Sequence, residues 1–185
     1  MGRNKMLLEL EGETLLRRAG RRALAAGLDP VIAVLGHEAE RAGAELAGLG
    51  CRVALNPGYA RGMNTSLSVG VEALPPGAEA AVVLLADMPF VDAALVEEVV
   101  ARHRQTGARL VTARYGGVPA PPTLYHRDLF PELCGGEGEG RGREVVRRHG
   151  PEVVFVDRPA SALADVDRED DLERARSRLA DGSGT

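Results

Sequence analysis

Aromatic side chains are scarce in this sequence, at 3% of 185 residues. With 44% of the residues hydrophobic, the core has to be built from Ala, Val and Leu rather than from packed rings. A basic excess is also lacking: 27 acidic residues against 23 Lys and Arg give a net charge of -4. That balance argues against a nucleic-acid partner, while a few local cations remain enough for a small phosphorylated ligand. No apolar run approaches the ~20 residues of a membrane helix, so no membrane partner is expected. The opening MGRNK carries no apolar leader of the secretory kind. The two cysteines, Cys51 and Cys134, lie far apart and match no metal-binding spacing; a reduced, cytoplasmic setting is expected. The length suits a single domain over residues 1–180 with a polar, Gly-rich tail at 181–185.

What is present is an alternation of two patterns. Residues 14–26 read as a helix ending at Gly27. Val31–Leu35 is a short continuous apolar run, as expected of a parallel strand covered on both faces. Helical and strand patterns follow at 38–46, 52–55, 64–74, 80–86, 92–106 and 109–113. The run AAVVLLA at 80–86 is the most apolar and is expected to be central. Asp92 is placed to cap its helix. The stretch 115–125, with three prolines and two glycines, reads as irregular edge structure. Short helices are expected at 128–133 and 144–148 around the loop GGEGEGRGR, then a strand at 153–156 and a closing helix at 168–179. Strand alternating with helix predicts an open, mostly parallel α/β sheet of the Rossmann-like kind with helices on both faces. Ligands in such sheets bind at the carboxyl ends of the strands, here just after Leu35, Leu55, Ala86 and Ala113.

The strongest chemical signal is LLADMPFVD. An apolar strand runs into Asp87, and Pro89 fixes the turn and restricts Met88. A carboxylate there suits Mg²⁺, which takes one or two carboxylates plus substrate phosphates. Capping of the next helix is the competing role, but Asp92 already fills it. In ADVDREDDL, Asp165 and Asp167 share one face if extended; one of them joins Asp87 at a metal, or both belong to the acidic start of the last helix. In NPGYARGMNTSLSVG, Asn56 follows a strand, and Gly62, Asn64, Thr65 and Ser66 offer polar groups where a helix begins. Spacing alone leaves Lys5 as a solvated lysine. The four histidines are scattered, and no nucleophile-base pairing or Gly-x-Ser-x-Gly elbow is present.

Taken in order, these pieces resemble the molybdenum-cofactor nucleotidyltransferases, of the nucleotide-diphospho-sugar transferase type, most of all the molybdopterin cytidylyltransferases. Met1-Gly2-Arg3-Asn4-Lys5 matches the end of that family's Gly-rich loop motif, L-A-A-G-x-S-x-R-M-G followed by N-K. Asn56-Pro57, Gly62-Met63 and Ser66-Leu67 match N-P-x-x-x-x-G-M-x-x-S-L. Asp87-Met88-Pro89 matches D-x-P, and the run Asp165 to Leu172 corresponds to the terminal D-x-D-T-P-E-D-L. Two motifs are loose: residues 120–125 lack the His of G-H-P-x-L-F, and 138–143 replace G-D-x-G-A-R by GEGRGR.

The resemblance implies a Mg²⁺-dependent transfer of CMP from CTP to a phosphorylated acceptor of the molybdopterin type, with release of pyrophosphate. Lys5 and Asp87 would be the catalytic residues. Asp87 with Asp165 or Asp167 would hold the metal. Asn56, Gly62, Ser66, Pro89 and Arg143 would bind substrate. Transfer from GTP, another sugar-phosphate acceptor, and a non-catalytic role in maturing a molybdoenzyme are the alternatives. The resemblance further implies a first strand and most of the Gly-rich loop, ~10–15 residues, ahead of Met1, the start codon being mis-assigned. Without that strand, either another segment fills its place or the sheet is split.

Overall fold

The computed structural model describes residues 4–166 and 169–182. A 3₁₀ turn at Lys5–Leu7 leads into a small antiparallel hairpin, β1 (Glu9–Leu10) and β2 (Glu13–Thr14). Glu11 and Gly12 both take positive φ, 55° and 77°, which is what a two-residue hairpin turn requires. Helix α1 (Leu15–Ala25) then starts under the Thr14 hydroxyl, which accepts from the Arg17 N–H. The chain continues through β3 (Ile32–Leu35), α2 (Ala39–Glu45), β4 (Arg52–Leu55), α3 (Met63–Glu72) and β5 (Ala80–Val83). It goes on through α4 (Ala93–Thr106), β6 (Leu110–Tyr115), β7 (Val118–His126), α5 (Phe130–Leu133), α6 (Arg141–Arg148), β8 (Val154–Arg158) and α7 (Glu169–Gly182). Asp92 caps α4 as expected, accepting from the Leu95 N–H at 2.8 Å. No helix among the described residues is long and apolar enough to cross a membrane.

The sheet is in two main pieces. β3 and β4 form a parallel pair, and β5-β7-β6-β8 form a four-stranded sheet in that order. In the larger piece β6 and β8 are parallel, while β7 runs antiparallel to both β5 and β6. Among the described residues β3 pairs on one side only, and so does β5.

Two expectations are corrected. The 80–86 run, read as a central strand, ends as a strand at Val83 and lies at the margin of the four-stranded piece. Its side chains are half-buried, Ala80 and Val82 packing against the α4 cluster and Val83 against that of α5 and α6. The Pro-rich stretch, read as irregular edge, is the nine-residue β7 with a strand on each side. The register steps from Thr112↔Thr123 to Ala113↔Ala120, so Pro121 and Pro122 sit in a bulge where no ladder donor is required. The buried Tyr115 hydroxyl donates to the Pro121 carbonyl at 2.9 Å, and burial pushes its pKa up to about 12. Tyr115→Phe is expected to lower stability by about 1 kcal/mol, the usual cost of one such bond, read as a drop in the denaturant midpoint.

Side chains alternate across the larger sheet. Val111, Leu124 and Val156 pack with Val96 and Val99 of α4. Leu110 and Tyr125 pack on the other face with Leu133, Val145 and Val146 of α5 and α6. Helices therefore cover both faces. A separate cluster joins α7, through Leu172 and Ala175, to Leu8, Leu10 and Leu15 at the amino-terminal hairpin.

Candidate active site

Two of the residues singled out from the sequence meet directly. Lys5, on the opening 3₁₀ turn, sets its Nζ 2.6 Å from Oδ2 of Asp87, just past the end of β5. The Asp87 side chain is 15% exposed and that of Lys5 36%, so the pair sits at a mouth open to solvent rather than in the core. Asn4 helps to place the turn: its Oδ1 accepts from the Met6 N–H, and its Nδ2 donates to the His37 carbonyl beyond β3.

The turn after Asp87 is held from below. Pro89 is buried, and its carbonyl, like that of Val91, accepts from the guanidinium of Arg22 on α1. Burial, with Arg18 nearby, pulls the Arg22 pKa down to about 10. The proline thus faces the protein interior and shapes the turn. Arg18 and Arg22 escaped the sequence reading; the signal was charged residues spaced i, i+4 on a helix face that is otherwise apolar.

The acidic segment predicted at 165–167 comes to the same turn. The Val166 N–H donates to the Asp87 carbonyl at 2.8 Å, and Val166 is buried. This places Asp165, exposed, next to the residue that touches Asp87. Asp167 lies outside the described residues. Among the described residues no group of three or more His, Cys, Asp or Glu side chains converges as a metal cage. A hard divalent cation is held through one or two carboxylates with phosphate oxygens and water completing its shell, and Asp87 and Asp165 are the carboxylates that stand at this turn.

Asn56, Thr65 and Ser66 form a second cluster at the carboxyl end of β4. Asn56 is 3% exposed. Its Nδ2 donates to Thr65 Oγ1 at 2.8 Å and to Ser66 Oγ at 2.9 Å, and its Oδ1 accepts from the Gly58 N–H at 2.9 Å. Asn56 is therefore a brace that sets the first turn of α3, and Ser66 is a side chain set by it. Gly62 has φ 111°, and a Cβ there would collide with the Gly138 carbonyl.

That contact belongs to a feature the sequence did not reveal. Residues 135–141, most of the loop GGEGEGRGR, are stitched onto α3. The Asn64 N–H donates to the Gly138 carbonyl at 3.0 Å, and the Gly138 N–H donates to the Arg61 carbonyl at 2.8 Å. The Met63 N–H donates to the Glu139 carboxylate at 2.9 Å. The polar groups at the start of α3 are thus largely engaged by the chain itself. Arg143 lies exposed in the first turn of α6, just beyond this loop. Gly62→Ala is expected to cost about 1–3 kcal/mol, from φ strain and the displaced carbonyl. Amide exchange at Asn64 and Gly138 should then accelerate; unchanged exchange would show that the loop tolerates a Cβ.

An α/β architecture with helices on both faces of its larger sheet, a lysine paired with a carboxylate past the end of β5, and a braced helix start beside β4 belong to the Rossmann-like nucleotide-diphospho-sugar transferase fold of nucleotidyltransferases. Residues 1–153 match the MobA-like NTP transferase domain. A curated relative, the "Bifunctional IPC transferase and DIPP synthase" of Rubrobacter xylanophilus, is 31% identical over 202 residues. The match covers 92% of this chain and 46% of that protein, so the chain spans about half the relative's length. Among solved structures, Rv0371C of Mycobacterium tuberculosis H37Rv in complex with manganese superposes with a TM-score of 0.81 at 27% identity, over 95% of this chain and 93% of that one. A nucleotidyl transferase of Methanothermobacter thermautotroptrophicus shares the fold, with a TM-score of 0.79 at 23% identity, over 96% and 86% of the two chains. The chain belongs to the MobA-like NTP transferase family.

Proposed function

We propose that this nucleotidyltransferase carries a cytidylyl group from CTP to the terminal phosphate of a molybdopterin-type acceptor. The observation that carries the reading is the Lys5–Asp87 pair at the carboxyl end of β5, within a chain of this family. An oxygen of the acceptor's phosphate attacks the α-phosphorus of CTP in line. The bond from that phosphorus to the bridging oxygen of the β-phosphate breaks, and pyrophosphate leaves with the electron pair. Such a transfer depends on positioning and on neutralised charge more than on covalent catalysis.

Lys5 faces the triphosphate and offsets its charge. Asp87, with Asp165 or Asp167, would hold Mg²⁺, which supplies charge neutralisation between phosphate oxygens when bound. The manganese in the Rv0371C complex supports a divalent ion in this role. Asn56 fixes Ser66 and the approach to Gly62, Pro89 shapes the turn carrying Asp87, and Arg143 lies on the acceptor side. A second reading, an acceptor that is another phosphorylated small molecule, is favoured by the name of the R. xylanophilus relative and by the missing histidine in residues 120–125.

Pyrophosphate release is the test, with purified protein, Mg²⁺, CTP or GTP, and either molybdopterin or sugar phosphates. CTP-dependent release requiring molybdopterin is the expected result. Release with GTP alone moves the assignment to a guanylyltransferase, and release only with a sugar phosphate moves it to the second reading. No release with any triphosphate sinks the transfer reading.

A further inference from the structure

Lys5 and Asp87 stand on stretches of chain 82 residues apart, and α1 touches both. The Leu15 N–H at its start donates to the Leu8 carbonyl at 2.9 Å, which ties the helix to the segment that carries Lys5. Leu16 is part of a buried cluster against which Met6, Leu7 and Ala86 pack, the first two following Lys5 and the third next to Asp87. Further along the same helix, Arg22 reaches the turn after Asp87. Its Nη1 donates to the Pro89 carbonyl and, at 2.6 Å, to the Val91 carbonyl. The carbonyls of Leu85, Asp87 and Met88 take the N–H groups of Met88, Val166 and Val91, so Arg22 completes the hold on the 85–91 turn. A half-buried cation is a costly way to hold two carbonyls, and this one has Arg18, itself 7% exposed, one helical turn before it. The void between the two arginines and the turn measures about 10 Å³, room for one water and for no ligand. Arg22 therefore acts on the turn and not on a substrate of its own.

We propose that Arg22 is a positioning residue for the transfer, setting Asp87 against Lys5 by fixing the backbone that follows the carboxylate. Its consequence for turnover rests on the transfer reading above, while the positioning itself is a property of the free protein. A carboxylate that has to meet a metal and a triphosphate serves best when it is held before they arrive, because order already present is not lost on binding. A displacement of about 1 Å at a reacting group costs about 10²-fold in rate. Without the guanidinium, the Pro89 and Val91 carbonyls lose their donor and the turn gains freedom two residues from Asp87. Arg21, exposed and next in sequence, pairs with Glu13 of β2 and not with the turn. The effect therefore belongs to one side chain and not to the charge of α1 as a whole.

The test has two arms. In the first, the free protein is treated with acetic anhydride and modification of Lys5 is followed by peptide mass spectrometry. Arg22→Met is expected to quicken it about three-fold, the worth of a partly exposed ion pair, because a loosened Asp87 no longer holds the ammonium. Arg21→Met is expected to react like the wild type. In the second arm, Mn²⁺ is titrated with CTP in excess, and the free ion is read by its electron paramagnetic resonance signal. Half-saturation should rise about ten-fold in Arg22→Met, and by less than about three-fold in Arg22→Lys, whose ammonium still donates to the two carbonyls. Should Arg22→Met fail to fold, Arg22→Gln is read in both arms with the same direction expected. Either reading unchanged, where the wild type binds Mn²⁺, overturns the proposal, and a fall in Tm alone marks Arg22 as purely structural. If the wild type binds no Mn²⁺ with CTP, the transfer reading falls and the first arm decides. Faster acetylation then keeps Arg22 as the residue that sets the pair, and equal rates remove it.

Discussion

Asp87→Ala is expected to reduce nucleotidyl transfer by about 10³-fold or more while leaving the fold intact. The size follows from the role proposed for the carboxylate: it would hold the cation that offsets the charge of the reacting phosphates, a contribution of several kcal/mol in the transition state. The fold survives because Asp87 stands at a mouth and its partner reaches solvent. Lys5 is 36% exposed and turns to water when the carboxylate goes, so the loss of stability should stay below about 1 kcal/mol. Asp87→Asn is the sharper control, since it keeps the shape and an acceptor for the ammonium but removes the charge. If Asp87→Asn retains more than a tenth of wild-type turnover with Mg²⁺, the metal assignment is wrong. Lys5 gives an independent check because it is the chain's single lysine. Amine-directed acetylation should therefore modify one side chain, inactivate the protein, and be slowed by CTP.

The second large effect is structural. Asn56→Ala is expected to cost about 2–4 kcal/mol, because a buried amide is lost together with three bonds. The Gly58 N–H is left without its acceptor, and the hydroxyls of Thr65 and Ser66 lose the donor that aligns them. For a chain of this length that is a fall of about 4–16 °C in Tm. Asn56→Asp separates the two roles. It keeps the acceptor for the Gly58 N–H, while Thr65 Oγ1 and Ser66 Oγ face a carboxylate and have to turn round to donate. Catalysis should drop more than stability in this variant. A loss of both in proportion would leave Asn56 with a purely architectural part.

How far the sequence spoke depended on whether a signal was local. β4 was legible to the residue, α4 because Asp92 carries its own cap, and α1 from its helical pattern up to Gly27, while the cap at Thr14 emerged from the structure. Asp87 was legible because it ends an apolar run. The strand β7 was not, since Pro119, Pro121 and Pro122 remove donors, and only a register shift against Thr112 and Ala113 makes them harmless. That shift is a property of the pairing, absent from either strand alone. The 135–141 loop was missed for the same reason. Its glycines suggest freedom, and only Asn64 and Gly62, more than seventy residues earlier, turn that freedom into a close fit. The meeting of Lys5 with Asp87 spans 82 residues; the resemblance to a family assigned both residues, but no spacing rule joined them.

The outer rim of the parallel pair sets how this molecule meets its neighbours in solution. β4 turns two apolar side chains to water there, Val53 at 46% and Leu55 at 64% exposed, while no side chain of β3 or β5 is exposed. A rim strand that shows apolar residues is a template for a further chain. Self-association at high concentration will therefore start at β4. Leu55→Lys will suppress it.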